Sequence, residues 1–328
     1  MKRLTLLFIL AAGLQFAHAQ KKRNVYHLKE NGDRVSKDSA DLTRIIEEPD
    51  SGSTYFVLKE FYPNGQPRAL GKLSAFDPQL IYEGELIRYD KNGKKCSVVN
   101  YRDNRPVGKA HYFFSDGRTS RLVDFDGVTV KQHPETIQRT MDDYPFRMIY
   151  LADSLNNVLV KDGNGHYKMP LKMFSETIVE EGDYVDGLKE GLWKGKSTSS
   201  DLWYNEQFQK GNLISGESFR NGESYTYTFD TEQPVFKGGM QKFYRYVGAN
   251  VVYPRIAYKN KVTGKVFLSF VIEKDGTVAD VKVSRGVSKE IDEEAVRVLS
   301  RSPKWVSGKH HGIPVRVKYN IPLSFSLN

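Results

Sequence analysis

Residues 264–305 read GKVFLSFVIEKDGTVADVKVSRGVSKEIDEEAVRVLSRSPKW. Val266, Leu268, Phe270 and Ile272 fall on every second position, the period of a half-buried strand. Asp275-Gly276 suits a hairpin turn, and a second alternating run follows it. Ser288 then stands ahead of apolar residues at helical spacing: Ile291, Ala295, Val298 and Leu299. The serine can cap a helix there. Glu290, Asp292, Glu293 and Glu294 fill its first turn, where carboxylates favour the macrodipole, and Ser302-Pro303 ends it. The stretch reads as strand, strand, helix.

Working outward, VFKGGMQKFYRYVGANVVYP (Val235 to Pro254) places Met240, Phe243, Tyr244 and Val247 at helical spacing after a Gly-Gly start. Tyr253-Pro254 opens a short turn or helix towards Asn260. On the other side a closing strand runs from Pro314 to Leu327. In it Val315, Val317, Tyr319 and Ile321 alternate with Arg316, Lys318 and Asn320, and Pro322 interrupts. Proline donates nothing to a ladder and belongs on an edge. A cationic edge strand is either guarded against aggregation or open to an added strand, and composition alone leaves both readings standing.

The first two thirds are organised differently. Asn31-Gly32, Asn64-Gly65, Asn92-Gly93, Asp116-Gly117, Asp162-Gly163, Asn164-Gly165 and Asn221-Gly222 lie among aromatic and β-branched residues. Such pairs suit two-residue hairpin loops, whose central positions need positive φ, so a meander of short antiparallel strands is expected. YRDNRPVG (Tyr101 to Gly108) and YVDGLKEG (Tyr184 to Gly191) share an aromatic, an Asp two residues on and a Gly seven on. FQKGNLISG (Phe208 to Gly216) is a looser copy, and YEGEL (Tyr82 to Leu86) uses the same vocabulary. From about residue 55 to 227 these stretches resemble MORN repeats, stacked β-hairpins whose aromatics pack on the neighbouring unit.

Residues 234–328 resemble the C-terminal domain of the TonB family of envelope energy transducers. VYPRIA (Val252 to Ala257), Gly264 before KVFLSFVI, Asp275-Gly276 and IDEEAVRV (Ile291 to Val298) carry the resemblance. So do Pro303, Trp305, Gly308, GIPVRV (Gly312 to Val317), Pro322 and Phe325. The resemblance implies helices packed on a three-stranded antiparallel sheet, with the last strand at its edge. That strand, Val315, Arg316, Val317, Lys318, Tyr319, Asn320 and Ile321, would receive the TonB box of an outer-membrane transporter. Tyr253, Pro254, Gly264, Asp275, Gly276, Trp305, Gly308 and Pro314 would be structural. A full transducer has an uncleaved membrane helix and a Pro-rich spacer; here the 13 prolines are scattered. Val306-Ser307-Gly308 departs from the family, which often has proline before that glycine. An α+β chain is thus expected, with a MORN-like domain at 20–232 and a TonB-like domain at 233–328.

Lys2 and Arg3, the apolar run to Phe16 and the small-x-small site Ala17-His18-Ala19 read as a signal peptide over residues 1–19, exporting the chain to the periplasm. Net charge is +9, and from Pro234 onward 17 Lys and Arg face 7 Asp and Glu. In an exported protein this excludes nucleic acid. It points instead to peptidoglycan or another anionic envelope polymer, lipid headgroups or acidic protein segments, beside the transporter peptide. The single cysteine, Cys96, excludes an internal disulfide and reads as an inert buried thiol. His310 and His311 are adjacent and would point to opposite sides of an extended chain, so they read as exposed turn residues rather than metal ligands. There is no G-x-S-x-G, H-E-x-x-H or phosphate-cradling loop, so no enzyme, cofactor or metal is expected.

Overall fold

The computed structural model describes residues 22–77, 79–129 and 144–327. The signal peptide read over residues 1–19 lies outside these. The chain divides into two compact units, Met1–Asn104 and Arg105–Asn328.

The first unit holds strands β1 (Arg23–Leu28), β2 (Leu42–Glu47), β3 (Phe56–Phe61), β4 (Pro67–Ala75), β5 (Ile81–Tyr89) and β6 (Lys95–Arg102). Each pairs antiparallel with the next. Leu58, Leu73, Leu86 and Val99 are buried, one from each successive hairpin arm. The Cys96 thiol is half-buried and bonds to the Lys94 carbonyl at 3.7 Å. Burial, with Asp90 nearby, pushes its pKa up.

Of the expected two-residue loops, Asp162-Gly163 and Asn221-Gly222 form with both residues at positive φ, but other sites differ. At Asn64-Gly65 and Asn92-Gly93 only the glycine has positive φ, +80° and +77°. Gly65 N–H donates to the Tyr62 carbonyl and Tyr62 N–H to that of Gln66, each at 2.9 Å. This is a type I turn closed by a left-handed glycine, with a bulge at Phe61. Pro63 is the reason, because its fixed φ suits type I and forbids the mirror turn. At the second site the Asp90 carboxylate accepts from the N–H groups of Asn92 and Lys94, at 2.8 and 2.9 Å.

Two-residue loops also mark the repeat itself. Asp103-Asn104, Asp186-Gly187, Lys210-Gly211 and Asn221-Gly222 have both residues at positive φ. Each pair begins two residues after an aromatic: Tyr101, Tyr184, Phe208 or Phe219. The repeated sequence is therefore the signature of one tight turn.

The second unit opens with β7 (Arg105–Phe113), β8 (Thr119–Asp124), β9 (Arg147–Ala152) and β10 (Val158–Lys161), antiparallel in order. A six-stranded sheet follows: β11 (Gly165–Met173), β12 (Glu176–Val185), β13 (Leu188–Ser197), β14 (Trp203–Gln209), β15 (Asn212–Arg220) and β16 (Glu223–Tyr227). Its buried face repeats one device, a ring laid over a glycine of the neighbouring strand. A Cβ on Gly182, Gly195 or Gly216 would sit 2.3, 2.1 or 2.3 Å from ring atoms of Trp193, Tyr204 or Tyr227. The aromatics pack across hairpins as expected; the glycines that make room for them went unread.

After a two-residue strand, β17 (Thr231–Glu232), come α1 (Gly239–Asn250), α2 (Arg255–Lys259), β18 (Gly264–Ile272), β19 (Val278–Arg285) and α3 (Lys289–Ser300). The chain ends with β20 (Gly308–His310), β21 (Ile313–Val315) and β22 (Val317–Phe325). The Ser288 hydroxyl caps α3 by accepting from Ile291 N–H at 3.4 Å, and Ile291, Ala295, Val298 and Leu299 are its buried stripe. Ile291, Ala295 and Leu299 pack with Phe243 of α1 and with Val266, Leu268, Phe270 and Ile272 of β18, the four residues read as one face. Among the described residues no helix is long and apolar enough to cross a membrane.

Candidate peptide-binding edge

The three-stranded sheet has the order β19-β18-β22, so the closing strand is an edge. It pairs with β18 over nine positions, from Val317 opposite Ile272 to Phe325 opposite Gly264. Tyr319, Ile321, Leu323 and Phe325 are buried beneath the helices, while Lys318, Asn320, Pro322 and Ser324 are exposed. Pro322 lies inside the strand, opposite Phe267, rather than ending it. It is tolerated because a residue of its parity supplies no donor to β18. Residues of one parity direct their N–H groups to one side of a strand. Lys318, Asn320 and Ser324 therefore turn theirs to the open edge. That side of β22 has no partner strand among the described residues.

The start of the strand differs from the sequence reading. Val315 belongs to β21, which pairs with β20 in a separate small sheet with β17. Arg316 is the joint between the two sheets. Its guanidinium donates to Glu273 at 2.8 Å and Asp280 at 2.7 Å, tying the joint to the turn end of the β18–β19 hairpin. Arg316 is thus engaged within the domain, and Lys318, exposed and without an ion-pair partner among the described residues, is the cation on the edge.

The residues expected to be structural make the following contacts. Trp305, buried, meets the rings of Phe236, Phe243, Phe270 and Tyr319 at centroid distances of 5.4–5.8 Å. Its backbone N–H donates to the Gly276 carbonyl at 2.8 Å, and its indole N–H to the Ser302 hydroxyl at 3.1 Å. Gly276 has φ +84°, and a Cβ there would lie 2.0 Å from the Trp305 oxygen. Asp275 accepts from Thr277 N–H at 3.0 Å and from Lys304 at 2.6 Å, contacts that hold its carboxyl well below the usual range. Tyr253 donates to the Val262 carbonyl and packs on Phe325, and the Pro254 carbonyl accepts from Tyr258 N–H at 2.9 Å. Gly264 and Gly308 admit Val287 and Val317, each 2.7 Å from where a Cβ would be. Pro314 pairs with Lys309 in the β20–β21 hairpin.

The histidines correct the sequence reading most sharply. His311 is buried, not exposed, at φ +49° between β20 and β21. Its ring stacks on Tyr204 with centroids 4.1 Å apart. Nδ1 lies 2.8 Å from Glu206 Oε1 and 3.1 Å from the Tyr227 hydroxyl, and the backbone carbonyl accepts from Ser218 at 2.7 Å. The hairpin carrying it is pinned to the repeat sheet. Burial pushes the Glu206 carboxyl up, but the His311 bond and charge, with Lys189 and Tyr227, outweigh it and hold the group below its ordinary value. His310 packs edge-on against Phe174, its Nδ1 buried without a partner. Burial, then the charge of His311, lowers its pKa to about 4. No group of three or more His, Cys, Asp or Glu among the described residues is placed to hold a metal ion. The signal missed was Ser218, Glu206 and Tyr227 on one inward face, polar groups that need a partner once buried.

Residues 249–327 match the family described as Gram-negative bacterial TonB protein C-terminal. The match takes in α2, α3 and every strand from β18 onward. Two NMR solution structures of the Helicobacter pylori TonB-CTD are similar to this chain. One is 26% identical, covering 27% of this chain and 80% of that one, with a TM-score of 0.22. The other is 25% identical, covering 26% and 91%, also with a TM-score of 0.22. No curated protein matches the chain.

Proposed function

We propose that this is an exported, non-enzymatic cell-envelope protein of the TonB family, an adaptor or transducer-like chain. In this reading an extended segment of an outer-membrane transporter adds as a strand along β22. The observation that carries it is the open edge, with the Lys318, Asn320 and Ser324 N–H groups unclaimed by β18 and a proline in the same set. The family match over residues 249–327 supports it. Residues 20–232 are a MORN-like hairpin domain in place of a Pro-rich spacer, and the mature chain begins at Gln20 in the periplasm. Titrating transporter N-terminal peptides into isotope-labelled protein tests the central claim. Saturable shifts along β22 are expected; binding that leaves those amides untouched would defeat it.

A further inference from the structure

Residues 233–272 contain seven Lys or Arg and no Asp or Glu. All seven cations are exposed, and none has an ion-pair partner among the described residues. The same stretch holds the domain's most exposed large apolar side chains: Val252 at 69%, Tyr258 at 63%, Ile256 at 59% and Tyr244 at 51%. Around α2 the arrangement is closest. Ala257 faces the core, Ile256 and Tyr258 flank it outward, and Arg255, Lys259 and Lys261 surround them.

The carboxylate bonded to the patch is already paired. Glu294 of α3 is bonded twice to Arg297, at 2.7 and 2.6 Å, and accepts from Val252 N–H at 2.6 Å. Asp292 accepts from Val287 N–H at the start of its own helix. The stretch itself carries only positive charge.

A solubilising surface mixes both signs and hides its aliphatics. Unpaired cations around exposed Ile, Val and Tyr are the composition that lies in a lipid interface, with apolar side chains below the headgroups and ammonium groups among the phosphates. We infer that the α1–α2 face docks on an anionic lipid surface. Charge selects the membrane and Val252, Ile256 and Tyr258 insert. The residues involved are not those of the β22 edge, so the inference does not rest on a peptide binding there.

The test is co-sedimentation of the full chain with vesicles of phosphatidylcholine alone or with about 30 mol% phosphatidylglycerol, at low and high salt. Binding to the anionic vesicles alone is expected, falling with salt. Each basic residue at a membrane surface contributes about fivefold, so Arg255→Ala, Lys259→Ala and Lys261→Ala together should lower partitioning about a hundredfold. Ile256→Ser with Tyr258→Ser should also weaken it while leaving the circular dichroism unchanged. Both sets of residues are exposed, so folding is preserved. Equal binding to neutral vesicles, no binding to either, or full retention by the triple variant would overturn the inference. Binding to peptidoglycan sacculi with none to vesicles would overturn it too, in favour of a polymer.

Discussion

His311 Nδ1 lies 2.8 Å from Glu206 Oε1 although 105 residues separate them, and the two residues are 5% and 1% exposed. Removing one member of a buried hydrogen-bonded pair leaves the other unsatisfied, at a cost of about 3 kcal/mol where that other is a carboxylate. His311→Ala should destabilise the chain by about that amount in urea denaturation. Glu206→Gln, which keeps an acceptor for the Tyr227 hydroxyl, should cost less. A neutral His311→Ala would return the histidines to the turn-residue reading.

The seam should also sense acid. The folded-state pKa of His310 is depressed from 6.5 to about 4, so the unfolded chain takes up its proton first as pH falls. Its contribution is whole above pH 6.5 and lost between there and about 4, on the order of 2 kcal/mol. Glu206, also depressed, adds a loss of the same sign below the ordinary carboxylate pKa. Urea midpoints measured across this range should fall with pH. His310→Phe should flatten the upper part of the curve and leave the lower part in place. An unchanged slope in that variant would exclude His310 as the sensing group.

Ring-over-glycine packing predicts unequal glycines. Gly195→Ala drives a Cβ to 2.1 Å from the Tyr204 ring, between paired strands that have no room to part. A loss of about 3 kcal/mol is expected. Gly222 has φ +80° but open space around it, so alanine there should cost only about 1 kcal/mol of backbone strain. Thermal melts of the two variants give the comparison.

The C-terminal elements were legible because period and punctuation agree there. Val266 to Ile272 alternate, Ser288 caps, and Pro303 follows the helix stop. The hairpin repeats were legible as a meander but not in their loops, since Pro63 and the Asp90 carboxylate select the turn type and Asn-Gly alone does not. The His311 seam was hidden for another reason. It joins a turn to a sheet face far away in sequence, and a local pattern carries no information about which surface a turn meets. The break at Arg316 was equally invisible. Alternation continues across it, and only Glu273 and Asp280 reveal that the chain changes sheets.

The edge itself gives a prediction in which strand parity does the discriminating. Lys318 shares the parity of Pro322, so its N–H faces away from β18 and a second proline there should leave the sheet intact. Tyr319 has the opposite parity; its N–H faces β18 and its side chain is buried. Tyr319→Pro should therefore cost at least about 3 kcal/mol and destabilise the domain outright. Lys318→Pro should fold but lose one donor from the open edge and put a ring in the path of an incoming strand. Each backbone bond in such an addition contributes about 1 kcal/mol net, and several are needed to offset ordering of the peptide. Losing one and blocking its neighbour should weaken peptide affinity at least about tenfold. Lys318→Ala separates charge from backbone: it should slow association and reduce salt dependence while leaving most of the affinity. Calorimetric titration of the three variants with one transporter peptide decides the matter. If Lys318→Pro is folded and binds as tightly as the parent, the peptide does not add to β22.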